Sequence, residues 1–424
     1  MMVALLGIAI AVLLIIRVPV AFAFLGPSIV YMWLNDQSVG NALREVFNAA
    51  NSFPMLAVPL FVLLGALANH AGIADRLFRF ALAVLARVRG SLGYVAIGTS
   101  VGFSWMSGSA VADAAALGKV QIPQMIRAGY GRRFATGVSA SSALIAPVMP
   151  PSIPAVIYAG LAAVSTGGLF AASVIPALLM AAGLVVVVAV LVARNRKITR
   201  GEFDKREVLA ATKGVILPMI TPVIILGGIL GGFFTPTEAA AVSAVYILLV
   251  GIVQRTLTWR GLLAALKETV LTTGAIMLIV ATASLLGYIL ARERLPQLMT
   301  DAMLSVSDDP TVFLLLVVVL CLILGTVIDA TAVLVLIVPI LIPIANTYGV
   351  DPIVLGVVTI IALMIGLLTP PVGTVLFVTS SVSKTRIGDV FRGTVPFLVP
   401  LIVVVLLAVL FPDAVMWLPG VLGL

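Results

Sequence analysis

Long apolar runs separated by short polar segments recur from one end of the chain to the other. A helix needs about 20 apolar residues to cross the roughly 30 Å hydrocarbon core of a bilayer. The runs predict ten helical membrane spans, and no segment between them is long and polar enough to form a large soluble domain. The predicted spans are 3–16, 18–34, 54–69, 133–164, 168–193, 214–233, 236–254, 270–291, 352–383 and 395–412.

Two further apolar regions, 90–128 and 311–347, have a different pattern. Each consists of an apolar arm, a patch of small or polar residues, and a second apolar arm. The first arms, of about 14–16 residues, would reach roughly 21–24 Å as helices, which is less than the thickness of the hydrocarbon core. We therefore expect two re-entrant helical hairpins whose tips end inside the protein. Two short tilted spans in each region are the alternative, and charge counting does not separate the two.

The composition also indicates an all-α polytopic membrane protein. Of the 424 residues, 62% are hydrophobic and 10% are charged, and the mean hydropathy is +1.25. An ordinary soluble domain has about 25% charged residues, so this chain has too little polar surface to cover a water-soluble core. The single cysteine, Cys321, and the single histidine, His70, exclude a disulfide framework and metal sites built from cysteine or histidine clusters.

The distribution of basic residues predicts the orientation in the membrane. The densest Lys/Arg cluster lies in the segment 194–213, and such clusters are typical of cytoplasmic loops. If this segment is cytoplasmic, counting spans outward leaves only Arg44, Arg292 and Arg294 of the 25 basic residues on the outer side. Both termini are then predicted to lie outside. The net charge of +8 is therefore interpreted as an orientation signal and not as evidence for nucleic-acid binding.

The chain divides into two related halves. Residues 1–193 form the predicted first repeat, 194–213 a cytoplasmic linker, and 214–424 the second repeat. Each half contains five predicted spans and one hairpin, and an odd number of spans inverts the second half relative to the first. Three motifs recur in the same order at nearly constant spacing. Pro150-Pro151-Ser152 corresponds to Pro370-Pro371-Val372, Gly108-Ser109 to Gly325-Thr326, and Tyr130-Gly131 to Tyr348-Gly349.

Each half also carries a polar cluster with the chemistry of a cation site. The first half combines the hairpin tip 104–113 with a proline-rich break at 146–152, and the second combines 325–331 with 366–374. Proline interrupts a helix, and unwound backbone at membrane depth survives only where it is buried in protein or lines a cavity. Free carbonyl groups and nearby hydroxyls are hard oxygen ligands, so we expect two cation sites flanking a substrate site. In the alternative interpretation, the hydroxyls bond within helices and the prolines only kink them.

Asp113 and Asp329 are the acidic residues that the pattern places within the membrane. Such residues are costly there, and each is a functional hypothesis by default. Each follows its hairpin tip by a few residues, so it could raise the local negative potential for a cation, cap the returning helix, or carry a proton in a proton-coupled mechanism.

Four sequence motifs carry a resemblance to a known family. They are Gly227–Ala241 (GGILGGFFTPTEAAA), Ala57–Phe61 (AVPLF), Ser107–Ala110 (SGSA) and Pro150–Ile153 (PPSI). Together they resemble the large membrane subunit of TRAP transporters, the DctM-type family, and the resemblance covers essentially the whole chain. It implies an elevator-type secondary transporter and not an enzyme, with scaffold helices and a mobile transport domain built from two hairpins and two broken helices.

The resemblance also implies a set of partners. It predicts co-transported sodium ions without an organic cofactor, uptake of a small organic acid, an extracytoplasmic substrate-binding protein, and a small four-helix membrane subunit. The location would be the lipid bilayer of a bacterial inner (cytoplasmic) membrane, with both termini in the periplasm. Because the chain begins directly with the large subunit, we expect the small one to be a separate polypeptide.

Two other functions remain open on the sequence alone. A stand-alone sodium-coupled carboxylate symporter of similar hairpin architecture would need no binding protein. A channel or an intramembrane serine enzyme belongs to a different class, and the segment Trp105–Gly108 invites that comparison. It lacks the first glycine of the protease motif, however, and the only histidine, His70, follows a span at its edge.

The resemblance assigns site residues one by one. In the first half the sodium ligands would be Ser104, Ser107, Pro150 and Ser152, and in the second half Gly325, Gly366 and Thr369. The substrate is expected between the two clusters, at Ser107, Ser109, Ser152, Thr331 and Thr374.

The orientation is testable by labelling. A cysteine introduced at Asn195 is expected to resist a membrane-impermeant maleimide in sealed cells and to react after permeabilisation, because the basic segment around it is predicted to be cytoplasmic. The unmodified chain, whose only cysteine lies in an apolar run, is the control. Rapid labelling of intact cells would contradict this orientation.

Overall fold

The computed structural model describes residues 2–16, 18–51, 53–193 and 204–424. All regular secondary structure in these ranges is helical, as the apolar pattern predicts. Arg17 and residues 194–203 of the predicted linker lie outside the described residues, so their predicted position stays a prediction.

The helices follow one another with short connections. Those of the first half are α1 Met2–Ile15, α2 Val20–Leu34, α3 Val39–Ala50, α4 Ala57–His70, α5 Ile73–Leu85, α6 Ser91–Ser107, α7 Ala110–Arg127, α8 Arg132–Ala143, α9 Ile153–Ala162 and α10 Thr166–Ala193. Those of the second half are α11 Lys205–Val215, α12 Ile220–Pro222, α13 Gly228–Leu230, α14 Pro236–Val253, α15 Trp259–Arg292, α16 Leu295–Leu304, α17 Pro310–Gly325, α18 Ala330–Thr347, α19 Pro352–Gly366, α20 Thr374–Ser383, α21 Ile387–Leu410 and α22 Pro412–Leu422. A 3-10 turn, Phe53–Leu56, precedes α4, and a π-helical turn, Val223–Gly227, joins α12 to α13.

Several helices are suited to crossing a bilayer. Within the described residues, α10, α14, α15, α18 and α21 are each long and apolar enough to do so alone. Two bent pairs add up to two further spans: α4 with α5, at a bend of 62°, and α11 with the segment from α12 to α13, at 43°. Other predicted spans correspond to apolar helices of 10–17 residues, among them α2, α9, α19 and α20.

The helix pairs expected for the two hairpins and for the two broken helices are present, while the re-entrant character of the hairpins stays a prediction. The first hairpin consists of α6 and α7, which pack together, and the second of α17 and α18. The broken span 133–164 consists of α8 and α9, and 352–383 consists of α19 and α20. In both cases the helix stops ahead of a Pro-Pro pair, because proline lacks the backbone donor that helix continuation needs.

Glycines bring two pairs of helices into backbone contact, one pair across the two halves and one within the second half. Gly137 on α8 lies against the backbone carbonyl of Gly393 on α21. Within the second half, a Cβ added to Gly366 on α19 would lie 2.7 Å from the Cα of Gly325 on α17. Small residues are common where membrane helices cross closely, because packing and not hydrophobic exclusion holds such helices together.

The structure departs from the sequence-based prediction at several helices. Five short helices, α3, α5, α11, α16 and α22, are not among the predicted spans and hairpins, because none of them contains a run of apolar residues long enough to span a membrane. The helix α15 begins at Trp259 and not at residue 270, and it is 34 residues long, or about 50 Å. Thr258 caps it by accepting a hydrogen bond from the Gly261 N–H at 3.1 Å. Its polar first turns therefore belong to the helix and not to a loop.

Packing at the α8–α21 crossing should be sensitive to a single methyl group. Gly137→Ala is expected to lower the apparent Tm of the purified protein, because its Cβ would meet the backbone of Gly393, which has no rotamer to adopt. Overpacking of this kind costs about 1–3 kcal/mol. Gly98→Ala on α6 is the control, because a Cβ there meets no atom within 4 Å. Equal melting temperatures for the two variants would contradict the crossing.

Candidate functional site

The first hairpin tip lies directly against the first helix break. Gly108 ends α6 in the left-handed conformation, with φ of 58°, and its N–H donates to the Ser104 carbonyl at 3.3 Å. A Cβ on Gly108 would lie 2.8 Å from the carbonyl oxygen of Pro151. Glycine is therefore required at this position for two reasons: it adopts the left-handed conformation of the turn, and it lets the hairpin tip lie close to the helix break.

Ser152 organises the break itself. Its hydroxyl donates to the carbonyl oxygen of Pro147 and accepts from the N–H of Ala155 at 3.1 Å, so it caps α9. The side chain is completely buried. Ser152 thus provides hydrogen-bond partners for a carbonyl of the unwound segment and for a free N–H of the next helix. Backbone groups buried in an apolar medium require such partners.

Asp113 occupies an unusual position beneath the first tip. Its side chain is completely buried, and one carboxylate oxygen accepts a hydrogen bond from the Ser107 hydroxyl. The other oxygen has no hydrogen-bond partner among the described residues. Ser109, and not Asp113, caps α7 through the Ala112 N–H. Burying a carboxylate oxygen without a hydrogen-bond partner costs free energy, and a bound cation or a proton would remove that cost.

The second tip and break are joined through the backbone. The carbonyl oxygen of Thr326 accepts hydrogen bonds from the N–H groups of Val372 and Gly373 at 2.9 and 3.0 Å. The Thr369 hydroxyl donates to the Ile365 carbonyl at 3.1 Å, one turn earlier in α19. The hydroxyl oxygen of Thr369 keeps acceptor capacity, so this side chain remains able to bind a cation.

Asp329 has a different role from Asp113. It accepts a hydrogen bond from the Thr331 N–H at 2.9 Å and caps α18. The second tip is predicted to end inside the protein, but it is partly exposed. Val327 is 50% exposed, and Pro370 and Pro371 of the adjacent break are also exposed. The two clusters are therefore similar in layout but differ in burial and in the use of their acid.

A cavity of about 390 Å³ lies between the two hairpin tips. Three helices begin at its wall: α7 after Ser109, α9 at Ile153, and α18 after Asp329. The first N–H groups of a helix have no intrahelical acceptor, and the helix dipole makes that end partially positive. The cavity is therefore suited to an anion, although no basic side chain lines it among the described residues.

Three of the five predicted substrate residues line this cavity, namely Ser107, Ser109 and Thr331. Ser152 and Thr374 are not among its lining residues. The Ser152 hydroxyl is occupied in capping α9, and the Thr374 hydroxyl is buried without a hydrogen-bond partner in the described part of the chain. The predicted sodium ligands Ser104, Pro150, Gly325, Gly366 and Thr369 lie at the tips and breaks around the cavity, and their role stays a prediction.

Sequence reasoning missed the far end of the cavity. Asn69 on α4 and Glu268 and Thr272 on α15 line it, at helical spacings that put polar groups on one face of mostly apolar helices. Glu268 lies 3.1 Å from the Nε2 atom of His70, so the two helices are linked at this end. Polar residues within apolar helices are the signal that could have indicated them.

Comparisons with known proteins identify the family. Residues 7–414 match the family described as the tripartite ATP-independent periplasmic transporter, DctM component. The chain is 44% identical over 409 residues to the sialic acid TRAP transporter large permease protein SiaM of Vibrio cholerae, covering 96% of each chain. It is 37% identical to the sialic acid TRAP transporter permease protein SiaT of Haemophilus influenzae, covering 97% of this chain and 67% of that protein.

A more distant likeness concerns the fold alone. The YdaH transporter of Alcanivorax borkumensis superimposes with a TM-score of 0.64 at 15% sequence identity, over 88% of this chain and 89% of that one.

A further relative is similar in sequence. The C4-dicarboxylate TRAP transporter large permease protein DctM of Vibrio cholerae is 35% identical over 448 residues, covering all of this chain and 98% of that protein.

The matching family and the similar relatives are membrane transporters and not enzymes. The chain belongs to the DctM family, the large permease component of tripartite ATP-independent periplasmic transporters. The resemblance seen in the sequence motifs is thereby confirmed, and the intramembrane-enzyme alternative is wrong.

The contact between the first tip and its break generates a prediction. Gly108→Ala is expected to reduce substrate uptake strongly at unchanged protein abundance, because its Cβ would push the tip away from the Pro151 carbonyl. Gly129→Ala is a matched control, since that residue has φ of 83° but a Cβ there meets no atom within 4 Å. Both substitutions place alanine at a positive φ and are strained for that reason, so the two variants differ only in the contact of the hairpin tip with the Pro151 carbonyl. Equal uptake by the two variants would contradict a role for the contact.

Proposed function

We propose that this chain imports a small organic acid together with sodium ions, with the substrate in the cavity between the hairpin tips. The observation that carries the proposal is the convergence of three helix N-termini on that cavity, at Ser109, Ile153 and Asp329. Helix N-termini at membrane depth are a known way of holding the carboxylate of a transported substrate without a buried basic side chain.

The electrostatics of the cavity favour coupling to a cation. The titratable side chains that line it within the described residues, Asp329 and Glu268, are both acidic. An organic anion entering alone would be repelled by them, whereas sodium bound at the tips would offset the repulsion. The unpartnered oxygen of buried Asp113 lies next to Ser107, which lines the cavity, and provides negative potential for such an ion.

The nature of the acid is suggested by the relatives. Two of them, at 44% and 37% identity, are named for sialic acid, whereas the relative named for C4-dicarboxylates is 35% identical. A cavity of about 390 Å³ has room for either class. We therefore propose sialic acid as the first substrate to test and a C4-dicarboxylate as the second.

The proposal includes the setting of the transporter. The chain would work in the inner membrane with a small four-helix subunit and a periplasmic substrate-binding protein, its termini in the periplasm. The hairpins and broken helices would move together past the remaining helices in an elevator mechanism. In the predicted orientation, the end of the cavity at Asn69 and Glu268 faces the cytoplasm, so substrate that leaves there would enter the cell.

Reconstitution in liposomes tests the coupling. Uptake of sialic acid by the membrane subunits is expected only with a sodium gradient and with the loaded binding protein. Ser107→Ala and Thr369→Ala should each raise the sodium concentration for half-maximal uptake roughly tenfold, the effect of losing about 1.4 kcal/mol of ion binding. Thr347→Ala is the matched control for Thr369, because its hydroxyl makes the same bond to a carbonyl one turn earlier but lies on the surface.

Variants of the two acids separate sodium from proton coupling. Asp329→Asn should keep sodium dependence, since asparagine also caps helices. Asp113→Asn should weaken it. If uptake persists in sodium-free buffer under a pH gradient and is lost in Asp113→Asn, the coupling ion is the proton and not sodium. Saturable sodium-driven uptake without the binding protein would instead favour a stand-alone carboxylate symporter.

A further inference from the structure

A second cavity, of about 420 Å³, lies away from the transport site, between α5, α11 and the end of α14. Three basic side chains line it, Arg76 and Arg79 from α5 and Lys213 from α11, and the remaining polar lining side chain is Gln254. Among the described residues that line it, none is acidic. The cavity is therefore a compact cationic pocket that joins the two halves of the chain.

Arg76 is held in place as part of the pocket wall. Its guanidinium group donates to the side-chain oxygen of Gln254 and to the carbonyl oxygen of Gly214, the latter at 3.4 Å. Both acceptors are neutral, although the C-terminal end of α14 gives partial compensation for one positive charge. Within the described part of the chain, none of the three basic residues forms an ion pair. The pocket therefore keeps a positive charge that a ligand could neutralise.

The geometry favours a phosphate group as that ligand. Arg76 and Arg79 are three residues apart on α5, so their guanidinium groups lie side by side and repel each other. An anion between them would relieve this repulsion. Guanidinium groups match the oxygens of a phosphate in two-point hydrogen bonds, whereas an ammonium group such as that of Lys213 adds a point charge.

The surroundings of the pocket point to a lipid as the source of the phosphate. Exposed apolar side chains flank it: Leu209 on α11 and Ile216 directly after it, 61% and 58% exposed, and Val253 on α14, 73% exposed. In the predicted orientation this end of α14 lies at the cytoplasmic surface of the bilayer. Acyl chains could thus cover the apolar side chains while the head group enters the pocket, the usual arrangement of basic pockets at this surface.

From this combination we propose that Arg76, Arg79 and Lys213 form a binding site for the phosphate group of an anionic phospholipid, which ties α5 to α11 across the two halves of the chain. The site is separate from the substrate cavity and does not depend on which acid is transported. Bound lipid stabilises the folded protein because it binds the assembled pocket and not the unfolded chain.

Lipid-dependent stability of the purified transporter, in complex with its small subunit if it has one, tests this site. The protein is delipidated in detergent, and its melting temperature is measured against added phosphatidylglycerol, phosphatidylcholine or inorganic phosphate. Phosphatidylglycerol is expected to raise the melting temperature more than phosphatidylcholine does. Native mass spectrometry should show the lipid retained.

The variant Arg79→Gln/Lys213→Gln leaves the contacts of Arg76 intact, so it should fold. It should need at least about tenfold more phosphatidylglycerol for the same stabilisation. Arg206→Gln is the matched control, an exposed basic residue of α11 outside the pocket, and should behave like the wild type. An unchanged phosphatidylglycerol response in the double variant would overturn the site. Equal stabilisation of the wild type by inorganic phosphate would overturn the lipid assignment and leave a soluble phosphate as ligand.

Discussion

Unwound backbone in an apolar medium must have its hydrogen bonds satisfied, and this constraint governs the arrangement of the molecule. The two helix breaks are where the requirement is hardest to meet, because no water is available in the hydrocarbon core. Each break is covered by the tip of its own hairpin. The Thr326 carbonyl accepts two N–H groups of the second break, and Gly108 fits closely against Pro151 in the first. Each hairpin tip therefore forms a pair with its own helix break, and the cavity lies between these two pairs.

The two clusters share a layout but differ chemically. The first contains a buried acid, Asp113, with an unpartnered carboxylate oxygen among the described residues, while the second uses Asp329 to cap a helix in a more open setting. A repeat constrains the backbone path, because the same breaks and turns must recur, but it leaves the side chains free to diverge. Two ions bound at these places would therefore experience unequal electric fields, and their binding need not be equally tight.

Much of the architecture could be predicted from the sequence because its signals are local. Apolar runs mark helices, Pro-Pro pairs mark breaks, and Gly108-Ser109 marks a hairpin turn. The far end of the cavity could not be predicted in this way. Glu268 and His70 are 198 residues apart in sequence, and only tertiary packing brings them together. The assignment of Ser152 to the substrate rested on residue type, whereas its hydroxyl faces the first turn of α9.

The length of α15 bears on where one end of the cavity lies relative to the membrane. At 34 residues and about 50 Å, the helix exceeds the roughly 30 Å hydrocarbon core by a wide margin. Its apolar part, from residue 270 to Arg292, is already long enough to span that core, so the first turns from Trp259 to Glu268 extend into the head-group layer. In the predicted orientation, the end of the cavity that Glu268 lines then lies at the level of the lipid head groups. Under the proposed function, an anion released at this end would meet a zone whose potential depends on lipid composition, so its release would respond to the charge of the surrounding membrane.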